Sequence, residues 1–261
     1  MVPHYFETGT PAAPALVLAH SLATDSAMWD GVLPSLESRF RVIRYDARGH
    51  GRTPPPDGWL TMDNLVQDVV DLMDHLGLAQ AHIAGLSMGG MVGMGLALAH
   101  PGRVLRLAVC DARADAPDGY KTAWDDRIAT VERDGFAALI TPTVARWFTP
   151  QFLEDADRVS AMQAIVARTT DAGYIGCARA LQGLDYKRHL PTMAVPTLFL
   201  VGDADVGASP DEMRAMHDLT PHASFVLIGG AGHISAVEQP ETVGRALADF
   251  FERVLDAGFS Y

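Results

Sequence analysis

The sequence has few cysteines and more acidic than basic residues, and each of these features argues against certain kinds of site or partner. Its 2 cysteines in 261 residues, Cys110 and Cys177, cannot form a disulfide framework, and neither belongs to a CxxC or Cys/His cluster that would hold a metal. We expect two buried thiols. Aspartate and glutamate outnumber lysine and arginine by 32 to 20, which gives a net charge of −12. Nucleic acid and anionic membranes would repel such a chain, so we expect neither as a partner.

Long apolar runs are also missing. No stretch approaches the roughly 20 residues that a membrane helix needs. The opening segment MVPHYFETG has neither the basic nor the apolar region of a signal peptide, so we expect a cytoplasmic protein. The composition that remains, 48% hydrophobic and 20% charged residues, is that of one globular domain with a substantial core.

Short apolar runs of strand length recur along the chain, each bounded by glycine, proline or polar residues. They cover residues 15–21, 41–46, 81–86, 104–110, 196–202 and 224–228. Helical patterns lie between most of them. One begins after Thr61, a predicted N-cap, and another closes the chain from Arg245 to Leu255. This alternation predicts an α/β fold with a mostly parallel sheet that helices cover on both faces.

One region of the chain lacks strand patterns. From about residue 113 to 191 we find only helical patterns, over 123–133, 135–147, 151–168 and 174–184. Some eighty residues are too many for a simple loop. We therefore expect residues 1–112 and 192–261 to form the core domain, and residues 113–191 to form an inserted helical cap.

The segment Gly85-Leu-Ser87-Met-Gly89 matches the G-x-S-x-G pattern of a nucleophile elbow. It ends a predicted strand and opens a predicted helix, the context that the motif requires. Glycines two residues before and two after the serine relieve the crowding of such a turn. A small-residue turn that merely closes a strand–helix unit is the simpler alternative, but the context favours Ser87 as a nucleophile.

A serine nucleophile needs a base and an acid, which follow it in the order acid, then histidine, in sheets of this type. His233 lies in a glycine-rich loop after the last predicted strand and is our choice of base over His20 and His50. Asp205, two residues beyond Asp203 in the loop after residues 196–202, is our choice of acid. Asp111, after residues 104–110, stays open as the rival, and Asp203 could instead cap the turn.

Two backbone N–H groups should stabilise the charge that develops on the substrate oxygen. We expect one from Met88, the residue after the nucleophile, and one from the loop after residues 15–21. Leu22 is our choice of donor in that loop, with Ser21 second. An ordinary strand-to-loop turn is the alternative reading of the same segment.

Several motifs together resemble the α/β-hydrolase superfamily from end to end: LAHSL, YDARGHG, GLSMGG, GDADV and GAGHISAVEQP. Within it, LAHSLATDSAMWD, RYDARGHG, RWFTPQF and GYIGCARAL are similar to the 3-oxoadipate enol-lactonases. The resemblance implies the triad Ser87, Asp205 and His233, with Asp205 three residues after Gly202. With these residues we predict an acyl-enzyme mechanism on a small ester or lactone, without metal or organic cofactor.

The chain departs from that lactonase family at two places that should border the pocket. It has Asp111-Ala-Arg113-Ala-Asp115 where the family carries a short neutral Asn-Thr-Ala stretch, and Ala23 where the family tends to have glycine. The exact substrate therefore stays open. A general carboxylesterase, another lactonase or a C–C bond hydrolase are alternatives, and a ligand receptor on a hydrolase fold is an alternative of another class.

A carboxylated lactone would need a cation in the pocket. The candidates lie in the predicted cap or at its entrance: Arg113, Arg127, Arg146, Arg168 and Arg179. Each of them could instead be a solvated surface charge. We expect Ser21, Trp29, Trp124, Arg127 and Trp147 to contribute to substrate binding, with core packing as the alternative for the tryptophans.

Overall fold

The apolar runs form the strands of one sheet in the computed structural model, which describes residues 1–252. Its seven strands lie in the order β1-β3-β2-β4-β5-β6-β7. Only β1 and β3 pair in antiparallel fashion; the other neighbours are parallel. The strands are β1 (Tyr5–Gly9), β2 (Ala15–Ala19), β3 (Arg41–Tyr45), β4 (Ala81–Leu86), β5 (Val104–Cys110), β6 (Thr197–Gly202) and β7 (Ala223–Ile228). The predicted mostly parallel sheet is confirmed.

Strand β1 is the one strand that the apolar pattern did not predict. Its sequence YFETG is half polar, and none of its residues is fully buried. It lies at the edge of the sheet and pairs only with β3. An edge strand exposed to solvent does not need the continuous apolar run by which buried parallel strands are recognised.

Over residues 1–252 the chain forms ten α-helices between and after the strands: α1 (Met62–His75), α2 (Met88–Ala99), α3 (Asp118–Asp134), α4 (Ile140–Trp147), α5 (Pro150–Leu153), α6 (Ala156–Val166), α7 (Asp171–Gln182), α8 (Pro210–Leu219), α9 (Ser235–Glu238) and α10 (Pro240–Glu252). Four 3₁₀ segments span Ser26–Ser35, Pro101–Arg103, Phe136–Leu139 and Lys187–Thr192. The N-cap predicted at Thr61 is confirmed, because its hydroxyl accepts from Asn64 N while the Asn64 side chain accepts from Thr61 N.

Two of the predicted helices are interrupted, and a local residue explains each break. The pattern over 151–168 forms two helices, because the Asp155 side chain accepts from Arg158 N and so begins α6. The pattern over 135–147 starts as a 3₁₀ segment after Gly135, whose φ of 78° ends α3. The closing helix starts five residues before the predicted Arg245, and the predicted part after residue 252 lies outside the described residues.

The helices α3 to α7 lie between β5 and β6 in the chain, and backbone contacts fasten them to the carboxyl end of the sheet. The N–H of His233, after β7, donates to Trp147 O at the end of α4 over 2.7 Å. Thr170 N, just before α7, donates to Gly49 O over 2.8 Å. Gly173 and Gly49 approach so closely that a Cβ on Gly173 would lie 2.5 Å from Gly49 Cα. These helices therefore cover the edge at which the parallel strands end.

Both cysteines are free and buried, as predicted. Over residues 1–252 no helix is long and apolar enough to cross a membrane.

Candidate active site

The carboxyl ends of the central strands bring the predicted site residues to one edge of the sheet. Leu86 pairs with Cys110, and Gly202 pairs with Ile228. The residues that follow these strand ends therefore lie side by side. They are Ser87 after β4, Asp111 after β5, Asp203 and Asp205 after β6, and His233 after β7.

Ser87 occupies a sharp turn between β4 and α2. Its φ of 55° and ψ of −115° lie in a region that L side chains rarely adopt, a strain of about 1–3 kcal/mol. The flanking glycines make the turn possible. A Cβ on Gly85 would lie 2.1 Å from Gly89 O, and a Cβ on Gly89 would lie 2.1 Å from Ala19 O. At this turn Ser87 lines a cavity together with Trp124 and Trp147 from the covering helices.

His233 lies between Ser87 and Asp205. Its Nε2 is 2.9 Å from Ser87 Oγ, and its Nδ1 is 3.0 and 2.9 Å from the two Asp205 carboxylate oxygens. With Nδ1 protonated toward Asp205, Nε2 is free to accept the Ser87 proton. The structure thus brings together the three residues that the sequence placed in one triad.

The loop after β6 gives its two aspartates different tasks. The Asp205 side chain is fully buried, and its Oδ1 accepts from Gly207 N at 2.6 Å and Ala208 N at 3.1 Å. These donors compensate the carboxylate for lost water. Asp203 is exposed and accepts from Gly230 N at 2.9 Å and from Ala231 N. It fastens the loop that leads to His233 and does not contact the imidazole.

Asp111, the rival acid, lies in a third environment. It is fully buried, and its two oxygens bond to Gly202 N (2.8 Å) and to the Ser235 hydroxyl. Burial raises the pKa of this carboxyl well above its usual range, and the negative charge of Asp205 adds to the effect. Asp111 therefore belongs to the same cluster as His233 without contacting its ring nitrogens.

The segment after β2 brings Leu22 to the cavity that Ser87 and His233 line. The neighbouring N–H groups are engaged: Ser21 N bonds to Met28 Sδ, Ala23 N to His50 Nε2 and Thr24 N to Ser21 O. Within residues 1–252 neither Leu22 N nor Met88 N, at the start of α2, donates a hydrogen bond. Leu22 lines the same cavity as Ser87, and Met88 follows Ser87 directly, so these two N–H groups belong to residues beside Ser87.

Two histidines that the sequence offered as rival bases hold this segment in place. His50 Nε2 accepts from Ala23 N at 3.1 Å, and His20 Nε2 accepts from Ala47 N at 2.8 Å while its Nδ1 donates to Ser21 O. Burial lowers the pKa of His20, and it lowers that of His50 to about 3. Both rings are therefore neutral and serve as structural acceptors. Sequence reasoning missed this role.

A cavity of about 210 Å³ opens beside Ser87 and His233. Ser21, Trp124, Arg127 and Trp147 line it, as do Leu22, Met91, Asp111, Arg113, Tyr120, Ala123, Arg146, Leu181, Val206, Gly207 and Ala208. Trp29, which the sequence also offered for substrate binding, lies elsewhere. It is completely buried in the 3₁₀ segment Ser26–Ser35 and belongs to the hydrophobic core.

Arg127 and Arg146 are the cavity arginines without an acidic partner. Among the described residues neither makes an ion pair, and the Arg127 guanidinium lies 4.7 Å from the centroid of the Trp124 ring. Partial desolvation at the cavity wall lowers the pKa of Arg146, and the charge of Arg127 lowers it further, although Arg146 as a whole residue is exposed to solvent. Two cations thus line one cavity, an arrangement that an anionic ligand would stabilise.

The other candidate arginines already have partners. Arg113 lines the cavity but bonds to Glu212 at 3.0 Å and covers the Tyr120 ring. Arg168 forms an ion pair with Asp25, and Arg179 forms one with Asp125. Over the part of the chain that the structure describes, no group of three or more His, Cys, Asp or Glu side chains could hold a metal ion.

Comparison with known proteins matches this architecture. A family model for the alpha/beta hydrolase fold matches residues 14–240. The chain is 32% identical over 251 residues to 3-oxoadipate enol-lactonase 2 from Acinetobacter baylyi, over 96% of this chain and 93% of that protein. The resemblance predicted from the sequence motifs is confirmed.

Solved structures agree. The enol-lactonase from Burkholderia xenovorans LB400 superposes with a TM-score of 0.91 at 33% identity, over 96% of each chain. A thermophilic esterase from Thermogutta terrifontis, solved with malate bound, superposes with a TM-score of 0.88 at 30% identity, over 95% of this chain and 92% of the other.

Proposed function

The chain belongs to the α/β-hydrolase family, and we propose that it cleaves a carboxylic ester or lactone bond with Ser87 as nucleophile, His233 as base and Asp205 as acid. The observation that carries this proposal is the contact of His233 with both Ser87 and Asp205 beside a cavity. The substrate would be a small molecule with a free carboxylate, and the reaction would need no cofactor.

In the first half of the reaction His233 Nε2 takes the proton of Ser87 Oγ as that oxygen attacks the acyl carbon. Asp205 fixes the imidazole tautomer and stabilises the imidazolium that forms. The N–H groups of Leu22 and Met88 stabilise the oxyanion. His233 then gives its proton to the leaving oxygen as the acyl–oxygen bond breaks.

In the second half water attacks the acyl-enzyme, with His233 again as base, and Ser87 regains its proton. If the substrate is an enol-lactone, the leaving oxygen stays on the same molecule as an enol and relaxes to a ketone. That relaxation makes ring opening strongly favourable. The net reaction adds one water across the acyl–oxygen bond.

Arg127 and Arg146 would bind the substrate carboxylate. They lack an acidic partner among the described residues, and both line the cavity that holds Ser87. A carboxylate in this cavity would form charge-assisted hydrogen bonds to the two guanidinium groups that line it. The esterase from Thermogutta terrifontis was solved with malate, itself a dicarboxylate. This subsite favours a carboxylated lactone over a neutral ester.

Residues 113–191 would act as the cap of this site. They supply Trp124, Arg127 and Arg146 to the cavity, while residues 1–112 and 192–261 would form the catalytic core. Substrate specificity would then reside in the cap and chemistry in the core.

A substrate panel tests the proposal. The purified chain is assayed on 3-oxoadipate enol-lactone, a neutral lactone, p-nitrophenyl butyrate and a C–C diketone, with Ser87→Ala and the exposed-serine control Ser38→Ala. We expect turnover of the carboxylated lactone at the highest kcat/KM, lost in Ser87→Ala and kept in Ser38→Ala. Preference for p-nitrophenyl butyrate would favour a general carboxylesterase, and preference for the diketone a C–C hydrolase.

A result without any Ser87-dependent turnover would contradict the proposal. Saturable binding of the carboxylated lactone without hydrolysis, measured by calorimetry, would then favour a receptor on the hydrolase fold.

A further inference from the structure

Asp111 joins two segments that each carry one member of the proposed triad. Its Oδ1 accepts from Gly202 N at 2.8 Å, three residues before Asp205. Its Oδ2 forms a hydrogen bond with the hydroxyl of Ser235, two residues after His233. Asp111 itself has a φ of 47°, so its backbone is strained at the point where β5 ends. A non-glycine residue holds such a conformation only when its surroundings fix it.

We propose that Asp111 is a positioning residue: its buried carboxyl ties the segment that carries Asp205 to the segment that carries His233. This proposal rests on the proposed function of Ser87, Asp205 and His233. Although Asp111 borders the cavity, it is fully buried, and in this role it neither contacts substrate nor transfers a proton to His233.

The surroundings of Asp111 favour an uncharged carboxyl. The titratable groups that interact with it are Asp205 and the adjacent buried thiol of Cys110. Among the described residues no lysine or arginine bonds to it. Burial and the charge of Asp205 raise its pKa well above the usual range. An uncharged carboxyl can accept from Gly202 with one oxygen and bond to Ser235 with the other, as an amide can.

The hydrogen bonds of His233 distinguish a positioning role for Asp111 from the role of an alternative triad acid. The two ring nitrogens of His233 bond to Ser87 and to Asp205. An alternative triad acid must act by its charge, so Asp111→Asn would then be inactive. A positioning carboxyl acts by its hydrogen bonds, so its amide variant should be active. Asparagine can accept from Gly202 N with Oδ1 and donate to Ser235 Oγ with Nδ2.

The experiment compares Asp111→Asn, Asp111→Ala and Ser235→Ala with the wild type and with Asp205→Asn. Turnover of p-nitrophenyl butyrate gives kcat and KM. Proton NMR gives the downfield resonance of the His233 Nδ1–H that points to Asp205, a signature independent of turnover. Ser38→Ala is the control for Ser235→Ala, and thermal unfolding shows that each variant is folded.

We expect Asp111→Asn to keep kcat within about threefold of the wild type and to keep the His233 resonance. Asp111→Ala should lose about tenfold or more in kcat with KM nearly unchanged, and the resonance should shift or broaden. Ser235→Ala should change both readouts in the same direction.

Two outcomes would overturn the proposal. Asp111→Asn as inactive as Asp205→Asn would mean that Asp111 acts by its charge. Asp111→Ala with unchanged kcat and an unchanged resonance would mean that it positions nothing. If the wild type shows no Ser87-dependent turnover, the proposed function fails, and the resonance alone decides: its persistence in Asp111→Ala would then overturn the positioning role.

Discussion

His233 Nε2 lies 2.9 Å from Ser87 Oγ although 146 residues separate them in the chain. The sheet produces this proximity, because β4 and β7 both end at its carboxyl edge, with β5 and β6 between them. The loop after β7 lies at that edge too, and the His233 N–H in this loop donates a hydrogen bond to Trp147 O. The geometry that supports the proposed role of Ser87 as nucleophile thus follows from the order of the strands.

The two aspartates after β6 give a matched pair of variants. Asp205→Asn should lower kcat by about a thousandfold or more, because the amide cannot stabilise the imidazolium and presents N–H where the tautomer needs an acceptor. Asp203→Asn should stay within about tenfold, since an amide oxygen can still accept from Gly230 N. Steady-state kinetics on the best substrate of the panel measures both. Equal losses would contradict the division of tasks.

Arg127 and Arg146, which form no ion pair within residues 1–252, predict a loss of substrate affinity that depends on substrate charge. Arg127→Met and Arg146→Met should each raise KM for the carboxylated lactone by about tenfold or more, because a charge-assisted hydrogen bond contributes about 1.5–3 kcal/mol. KM for p-nitrophenyl butyrate should change much less. Arg179→Met, which removes an arginine already paired with Asp125, is the control. A similar loss on both substrates would mean that the arginines shape the cavity and do not bind the carboxylate.

The buried histidines predict loss of stability in acid. Burial lowers the pKa of His50 to about 3 and, with the charge of Arg106, that of His82 to about 4. The unfolded chain therefore binds more protons than the native one as pH falls from about 6.5 to 4, and the free energy of unfolding decreases. Urea unfolding of the wild type and of His82→Leu measures this. The difference, variant minus wild type, should grow as pH falls; a flat difference would exclude His82 as a source.

The close approach of Gly232 to Trp147, next to His233, predicts the effect of one added methyl group. A Cβ on Gly232 would lie 2.3 Å from Trp147 O, so Gly232→Ala must push α4 away from the His233 loop. We expect a loss of about 1–3 kcal/mol in the free energy of unfolding, and a fall in kcat. Gly102→Ala, where a Cβ meets nothing within 4 Å, is the control for an added methyl group. Thermal unfolding measures the stability of both variants, and steady-state kinetics measures their kcat.

Much of the fold and of the candidate site follows from local patterns. Buried parallel strands require apolar runs, and residues after such strands share one edge, so Ser87, His233 and the aspartates could be placed together without coordinates. The break at Asp155 had a local signal too, since an aspartate that starts a new helical pattern is a preferred N-cap.

Other features depend on contacts between distant parts of the chain. The bond of Asp111 to Ser235 joins residues 124 positions apart, and no spacing rule predicts it. Arg127 and Arg146 share a cavity only because the helices fold over the sheet edge. The core position of Trp29 and the acceptor roles of His20 and His50 likewise depend on packing.

The hydrogen bond from His233 N to Trp147 O restricts how the inserted helices can be replaced when this chain is redesigned. Helices inserted between β5 and β6 could be regarded as an exchangeable module, to be replaced when a new substrate is wanted. In this chain the inserted helices supply the Trp147 carbonyl, which accepts a hydrogen bond from the backbone N–H of His233, the proposed base. A graft from another protein would therefore have to restore that carbonyl, or it would alter the rate along with the selectivity.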